Sequence, residues 1–157
     1  MRVLVVSCQP CEESYIAHVA ARSVAALSAR HEVRHTDLYG TYDETDIAWA
    51  EALVLVYPTW WASMPAALVE YLDGILSAQP RYPELRLIVA VSSHGSKKWV
   101  NVVEGEVGRR IVLRGLRRHG NVDCKARWIA VYNIDRSTHK RRERFVRKVE
   151  RKLARLS

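Results

Sequence analysis

Three short segments of this sequence contain residues whose types and spacing could support chemistry. The first, residues 7–14 (SCQPCEES), has a C-x-x-C pair at Cys8 and Cys11 and ends on Ser14, which suits a helix N-cap. The free N–H groups and the dipole at a helix N-terminus attract phosphate. Because the segment has no glycine, it is neither a Walker loop nor a G-x-G-x-x-G fingerprint.

Both features of this first segment also have structural interpretations. Ser14 could only cap its helix, and the two cysteines could be small hydrophobic residues instead of a thioredoxin-like dithiol. If the helix begins at Ser14, Cys11 lies before its first turn and Cys8 lies at the end of a buried strand. We therefore favour the structural interpretation of the cysteine pair.

The second segment, residues 57–66 (YPTWWASMPA), combines two adjacent tryptophans with two prolines. Pro58 and Pro65 fix the backbone, and the indoles of Trp60 and Trp61 are too large to be buried together easily. The segment should therefore form a rigid aromatic wall, which suits a flat aromatic ligand. The structural alternative is that one tryptophan lies in the core and the other in a dimer contact.

The third segment, residues 92–96 (SSHGS), has small polar side chains and a glycine that lets backbone approach a bound group. His94 could donate a proton or a hydrogen bond there, or it could be a histidine without a role. No cluster of His, Cys, Asp or Glu in the sequence has metal-ligand spacing, and no Ser-His-Asp order is evident.

Hydrophobic periodicity predicts strands and helices that alternate along the chain and position these segments. We expect Ser14 to begin the first helix and Pro58 to end the third strand. The predicted strands cover residues 3–6, 32–37, 52–57, 86–92 and 127–132. The predicted helices cover about residues 14–27, 44–51, 65–76, 106–118 and 138–156.

This alternation favours right-handed crossovers and a parallel sheet between two helical layers. Five such units predict an α/β, flavodoxin-like three-layer sandwich with strand order 2-1-3-4-5, formed by residues 1–157 as a single domain. Ligands of such folds bind beyond the carboxyl ends of the strands, where the strand order reverses. The three segments follow strands one, three and four, so we expect them to form one site.

Composition restricts the class of protein and its location. The chain has 157 residues, of which 48% are hydrophobic and 27% charged, as in a globular protein. No apolar run approaches the roughly 20 residues that span a membrane. Residues 1–7 lead directly into a strand, without the flanks of a signal peptide, and the odd number of cysteines, 3, argues against an oxidising compartment. We expect a cytoplasmic protein.

Charge is distributed unevenly along the chain. Residues 1–107 carry a net charge of −5 and residues 108–157 carry +13. The basic part suits nucleic acid, an acidic partner or a phosphorylated ligand, and charge alone does not choose among them.

Taken together, these residues resemble the flavodoxin-like NAD(P)H:quinone oxidoreductase family, which includes quinone reductases, drug-activity modulators and the flavoprotein subunit of bacterial potassium-efflux systems. The most specific part is residues 57–66, followed by Leu72 and Asp73; it is similar to that family's aromatic-P-x-x-W-x-x-x-P-A segment and the helix after it. Residues 3–14, 37–39 (DLY) and 92–96 are also similar to the family, less specifically.

The resemblance implies a bound flavin, a homodimer with its sites at the interface, and NAD(P)H as co-substrate for the two-electron reduction of quinones or similar small acceptors. It places the cofactor phosphate at Gln9, Ser14, Tyr15 and Ile16. The flavin ring would lie against the wall of residues 58–61 (Pro58, Thr59, Trp60 and Trp61), with its pyrimidine side at Ser93, His94 and Gly95. The family usually has a histidine, a polar residue and a glycine where this chain has Gln9, Ile16 and His94. Since no C-terminal extension follows the last helix, we expect FMN in preference to FAD.

The corresponding mechanism is ping-pong hydride transfer, in which NAD(P)H and then the acceptor occupy one flat slot beside the flavin. His94 is the predicted catalytic residue. The alternative is a flavodoxin-like regulatory or electron-transfer partner with weak or lost activity. The basic C-terminal helix could dock an acidic protein, or it could be an ordinary solvated face. Nucleic acid is a less favoured partner, because the sequence has no recognition motif and its aromatic residues lie mainly outside the basic segment.

Overall fold

A five-stranded parallel sheet forms the centre of the protein, in a computed structural model that describes residues 1–11, 13–60 and 63–156. The strands are β1 (Arg2–Ser7), β2 (Glu32–Asp37), β3 (Ala52–Thr59), β4 (Leu87–His94) and β5 (Lys125–Val131). Their order is β2-β1-β3-β4-β5, and every neighbouring pair is parallel. The predicted flavodoxin-like α/β fold is confirmed.

Helices cover both faces of this sheet. They are α1 (Tyr15–Ser28), α2 (Asp46–Trp49), α3 (Ala66–Ala78), α4 (Lys98–Val103), α5 (Val107–Arg110) and α6 (His139–Leu153); a π turn (Ile111–Gly115) and a 3-10 turn (Leu116–His119) follow α5.

The core consists of two apolar layers, because successive strand residues point to opposite faces. Val3 and Val5 of β1 pack in the layer that contains α1 and α6, whereas Leu4 and Val6 pack in the layer of α3. The central strands are apolar on both faces, as parallel strands between two helical layers require.

Strand β3 does not end at Pro58, contrary to the sequence prediction. Pro58 pairs with Ser93 and Thr59 with His94, so β3 and β4 continue together past the proline. The Val56 carbonyl accepts a hydrogen bond from the Cys8 N–H, on the side of β3 that faces β1. Pro58 comes two residues later, so its nitrogen, which carries no hydrogen, faces the same side. Because β1 has already ended there, the proline removes no hydrogen bond from the sheet.

The segment after β4 also differs from the prediction. The predicted helix over residues 106–118 is present as three consecutive helical pieces, α5 and the π and 3-10 turns, but an additional helix, α4, precedes it from Lys98 to Val103. Gly105 and Glu106 both have positive φ, 87° and 44°, which ends α4 and redirects the chain. The periodicity predicts no helix at residues 98–103, where α4 lies beside the predicted site.

Candidate functional site

The three segments expected to meet do lie together, in a cavity of about 630 Å³ at the carboxyl ends of β1, β3 and β4. The cavity extends from the N-terminus of α1, past the end of β3, to the turn after β4. Its lining combines the predicted residues with several from later in the chain. They are Gln9, Pro10, Cys11, Ser14, Tyr15, Ile16, Pro58, Thr59, Trp60, Ser93, Gly95, Ser96, Asn101, Glu104, Ile134, Asp135 and Arg142.

Gln9 and Ser14 organise the end of the cavity at α1. Ser14 is the N-cap of α1, because its Oγ accepts from the Ala17 N–H at 3.2 Å. The Ser14 hydroxyl also donates to Gln9 Oε1 at 2.6 Å, and the Cys11 N–H donates to the same oxygen at 3.1 Å. The Gln9 amide nitrogen makes no hydrogen bond to the described residues. Gln9 therefore presents its amide N–H groups to the cavity.

Tyr15 and Arg142 form a side of the same end. The Tyr15 hydroxyl donates to the Arg142 carbonyl at 3.0 Å, and burial raises the pKa of this phenol to about 12. The Arg142 guanidinium lies 5.8 Å from the Tyr15 ring and donates to Ser137 Oγ and the Ile134 carbonyl. A cation is thus held in place beside the N-terminus of α1. Ile16, which also lines the cavity, is buried in the apolar layer that contains α1 and α6.

The aromatic wall is formed in part by Trp60, which is 45% exposed and follows Pro58 and Thr59 into the cavity. Two backbone hydrogen bonds join Trp60 and Ser63, at 3.1 and 2.9 Å, and fix the backbone of Trp60 beyond the strand end. Trp61, the second predicted member of the wall, lies outside the described residues.

The turn after β4 brings backbone close to the cavity at Gly95. A Cβ at this position would lie 2.5 Å from Asp135 Oδ2, so only glycine fits here without moving the carboxylate. The N–H groups of Gly95 and Ser96 donate no hydrogen bond within the described ranges. These two N–H groups, together with the Ser93 hydroxyl, are donors available to a ligand.

His94 does not line the cavity. Its side chain is 5% exposed and stacks on Tyr132, with the ring centroids 4.5 Å apart. His94 Nδ1 lies 2.7 Å from Asn101 Oδ1, while the Asn101 amide nitrogen donates to Ser96 Oγ and the Lys97 carbonyl. Nδ1 therefore carries the proton and donates to Asn101.

Burial lowers the pKa of His94, against smaller opposing effects of Asn101 and Glu106, which favours the neutral ring. Thr59 Oγ1 lies 3.5 Å from His94 Nε2 on the other side of the ring. His94 thus holds two cavity-lining residues, Thr59 and Asn101, from behind. This is the geometry of a positioning residue.

Residues 1–100 match the model of a protein family whose description is a flavodoxin-like fold. The chain belongs to this flavodoxin-like family. The family model covers β1 through β4, and therefore the three segments that form most of the cavity. The resemblance to a flavodoxin-like family that the sequence indicated is therefore confirmed.

Solved structures share the fold of this flavodoxin-like protein at low sequence identity. Smu.1420 from Streptococcus mutans has a TM-score of 0.84 at 17% identity, over 99% of this chain and 100% of that chain. An NAD(P)H:quinone oxidoreductase from Methanothermobacter marburgensis has a TM-score of 0.77 at 20% identity, over 98% and 96%. An FMN-dependent NADH-azoreductase from Bacillus anthracis, in complex with FMN, has a TM-score of 0.75 at 12% identity, over 99% of both chains. No curated protein matches the chain.

Several cavity residues of the flavodoxin-like chain were not identified from the sequence. Asn101 lies in α4, which the periodicity did not indicate, and Glu104 directly follows that helix. Asp135 comes from the connection after β5. Arg142 is one of many basic residues near the C-terminus, and nothing in the sequence distinguishes it from the others.

The cysteine pair does not have the features of a dithiol site. Cys8 is buried, and burial raises the pKa of its thiol to about 11, which disfavours the reactive thiolate. Cys11 is exposed and lines the cavity. Among the described residues of the flavodoxin-like chain, no group of three or more His, Cys, Asp or Glu residues could hold a metal ion. No helix in the described part of the chain is long and apolar enough to cross a membrane.

Proposed function

We propose that this protein is an FMN-dependent NAD(P)H oxidoreductase that passes hydride to quinones or similar small acceptors. The observation that carries the proposal is one continuous cavity that joins hydrogen-bond donors at the N-terminus of α1 to an aromatic wall and a turn with free N–H groups. Its volume, about 630 Å³, lies within the range of ordinary small-molecule sites.

The donors at the α1 end fit a phosphate monoester. The Gln9 amide N–H groups, the N-terminus of α1 and the Arg142 guanidinium all favour a negative charge there. The Ser14 hydroxyl is not the direct phosphate donor that the sequence suggested, because it donates its hydrogen bond to Gln9 Oε1. These residues would hold the phosphate of FMN.

The other end of the cavity fits the flat ring. Trp60 would cover one side of it, and the N–H groups of Gly95 and Ser96 would donate to its polar edge. When bound, FMN would supply the hydride-transfer chemistry between NAD(P)H and the acceptor. The chain contributes orientation of the ring and donors where negative charge develops. His94 acts by fixing Thr59 and Asn101, and we assign it no proton transfer to the substrate.

FMN titration of the cofactor-free protein tests this proposal, followed by anaerobic addition of NADPH or NADH. Bound FMN that loses its visible absorbance on addition, and regains it when a quinone is added, supports ping-pong transfer. Trp60→Ala should weaken FMN binding by about 2- to 10-fold, the value of an aromatic contact, whereas Trp60→Phe should retain most of it. Lack of FMN binding would refute the proposal. Bound FMN that neither nucleotide reduces would favour the electron-transfer alternative.

The proposal includes a homodimer, which an exposed apolar surface beside the cavity supports. Trp99, Val102 and Val103 of α4 are 65%, 54% and 79% exposed, and Val107 of α5 is 43% exposed. Val103→Asp should shift the molar mass measured by light scattering from dimer to monomer. Val122→Asp changes an 89% exposed valine elsewhere and should leave the mass unchanged. A wild-type monomer would refute the dimer.

We further propose that residues 1–157 form a single domain and that the protein acts in the cytoplasm. The free thiols of Cys8, Cys11 and Cys124 support a reducing compartment.

A further inference from the structure

A second groove lies between strand β5 and helix α6. It has a volume of about 420 Å³. Four cations line it on the α6 side, and none of its described lining residues is acidic. The lining residues are Ala130, Val131, Tyr132, Arg141, Arg144, Phe145, Lys148 and Arg151.

The two carboxylates of α6 do not neutralise this groove. Glu150 Oε1 lies 2.6 Å from Arg22 and Glu143 Oε1 lies 3.8 Å from His18, so both acids face α1. Arg144, Lys148 and Arg151 have no acidic partner within 4.0 Å in the described part of the chain. The groove is therefore an uncompensated basic surface.

The other side of the groove is the open edge of the sheet, because β5 is the last strand in the order. The Lys125 N–H donates to the Arg86 carbonyl, so alternate residues from Lys125 onward bond to β4. The residues between them, Ala126, Trp128 and Ala130, point their N–H and C=O groups outward. No described strand pairs with them. An edge of this kind is a template for an added strand.

We propose that this groove binds an extended acidic segment of a partner protein, which adds to the sheet beside β5. The cations at positions 141, 144, 148 and 151 follow one side of α6 over about 15 Å, at 1.5 Å per residue. An extended strand repeats its side chains on one face about every 6.6–6.8 Å. About three acidic residues at alternate positions can therefore face the four cations while the backbone pairs with β5. Among the described residues, the groove shares no lining residue with the flavin cavity.

Fluorescence anisotropy on the full-length protein tests the pairing and the charge separately. The probe is a labelled ten-residue peptide with Glu at alternate positions and Thr between them. A second peptide of the same sequence carries N-methyl groups on the backbone nitrogens of alternate residues, which removes the donors to β5 without changing the charge. A third peptide is methylated at the other alternate set of backbone nitrogens. Because only one set of donors faces the strand edge, we expect the unmethylated peptide to bind about tenfold or more tightly than one methylated peptide and about as tightly as the other.

Charge reversal in the groove supplies the matched protein variants. Arg144→Glu with Lys148→Glu should weaken peptide binding about tenfold or more. Arg117→Glu with Arg118→Glu changes the net charge equally at exposed positions outside the groove and should weaken it less than threefold. Neither pair touches the cofactor cavity, so FMN affinity should stay unchanged in both.

Three results would overturn the proposal. Equal binding of the unmethylated peptide and of both methylated peptides would show attraction of charge without strand addition. Equal losses from the two charge-reversal pairs would place binding outside the groove. Tighter binding of a DNA duplex or of anionic lipid vesicles than of the peptide, at the same salt concentration, would assign the surface to a different class of partner. Protection of the Ala126, Trp128 and Ala130 amides from hydrogen exchange is the expected direct sign of strand addition.

Discussion

Replacing Gln9 by glutamate should weaken cofactor binding much more than it changes the stability of the cofactor-free protein. Gln9 Oε1 accepts from Ser14 Oγ and the Cys11 N–H, and the amide nitrogen remains for the ligand. In Gln9→Glu the carboxylate can accept the same two hydrogen bonds, but it has no donor to offer. A hydrogen bond to a charged group contributes about 1.5–3 kcal/mol, so FMN should bind about 10- to 150-fold more weakly. Repulsion between carboxylate and phosphate adds to this loss.

The same substitution should change the stability of the cofactor-free protein much less. The helix dipole at the N-terminus of α1 favours a negative charge by about 0.3–1 kcal/mol, which offsets part of the cost of a carboxylate at a position that is only 6% exposed. Urea denaturation of the cofactor-free variant measures this change. Isothermal titration with FMN measures the loss of affinity under the same conditions.

Riboflavin, which lacks the phosphate, is the control ligand. Its affinity should be the same for the wild type and for Gln9→Glu, because only the phosphate reaches Gln9. An equal loss of FMN and riboflavin affinity would mean that the variant disturbs the whole cavity. Unchanged FMN affinity would refute the assignment of Gln9 to the phosphate.

Two further predictions follow from the buried groups. Burial lowers the pKa of His94 below its ordinary value of 6.5, so the unfolded chain binds more protons in acid. The free energy of unfolding should therefore fall as the pH drops through 6.5, and urea midpoints from pH 8 to 5 should fall less steeply for His94→Asn. Some slope should remain, since burial also lowers the pKa of His35; equal slopes for both proteins would contradict this. Iodoacetamide at neutral pH should modify Cys11 and spare Cys8 and Cys124, because burial raises the pKa of both protected thiols. Mass spectrometry of tryptic peptides identifies the sites, and early labelling of Cys8 would be inconsistent with its buried position.

Local patterns in the sequence determined the fold and the position of the cavity. Strand β2 has the predicted bounds, Glu32–Asp37, and Ser14 caps α1 as its residue type indicated. Apolar runs identify buried parallel strands because both faces of such a strand are covered. Once the strands are known, the topology requires their carboxyl ends to meet at one edge. The convergence of segments 7–14, 57–66 and 92–96 was therefore predictable without coordinates.

The tertiary structure alone decided which side chains face the ligand. Strand β4 runs to His94, so the alternation along the strand places His94 on the face of Ala90 and Ser93 on the opposite face, beside the cavity. The sequence places both residues in one polar turn and does not distinguish their directions. Arg142 and Asn101 enter the cavity because α6 and α4 pack beside it. Periodicity reports which face of a segment is apolar, whereas the partners of a polar side chain depend on contacts between residues far apart in the chain, such as Tyr15 and Arg142.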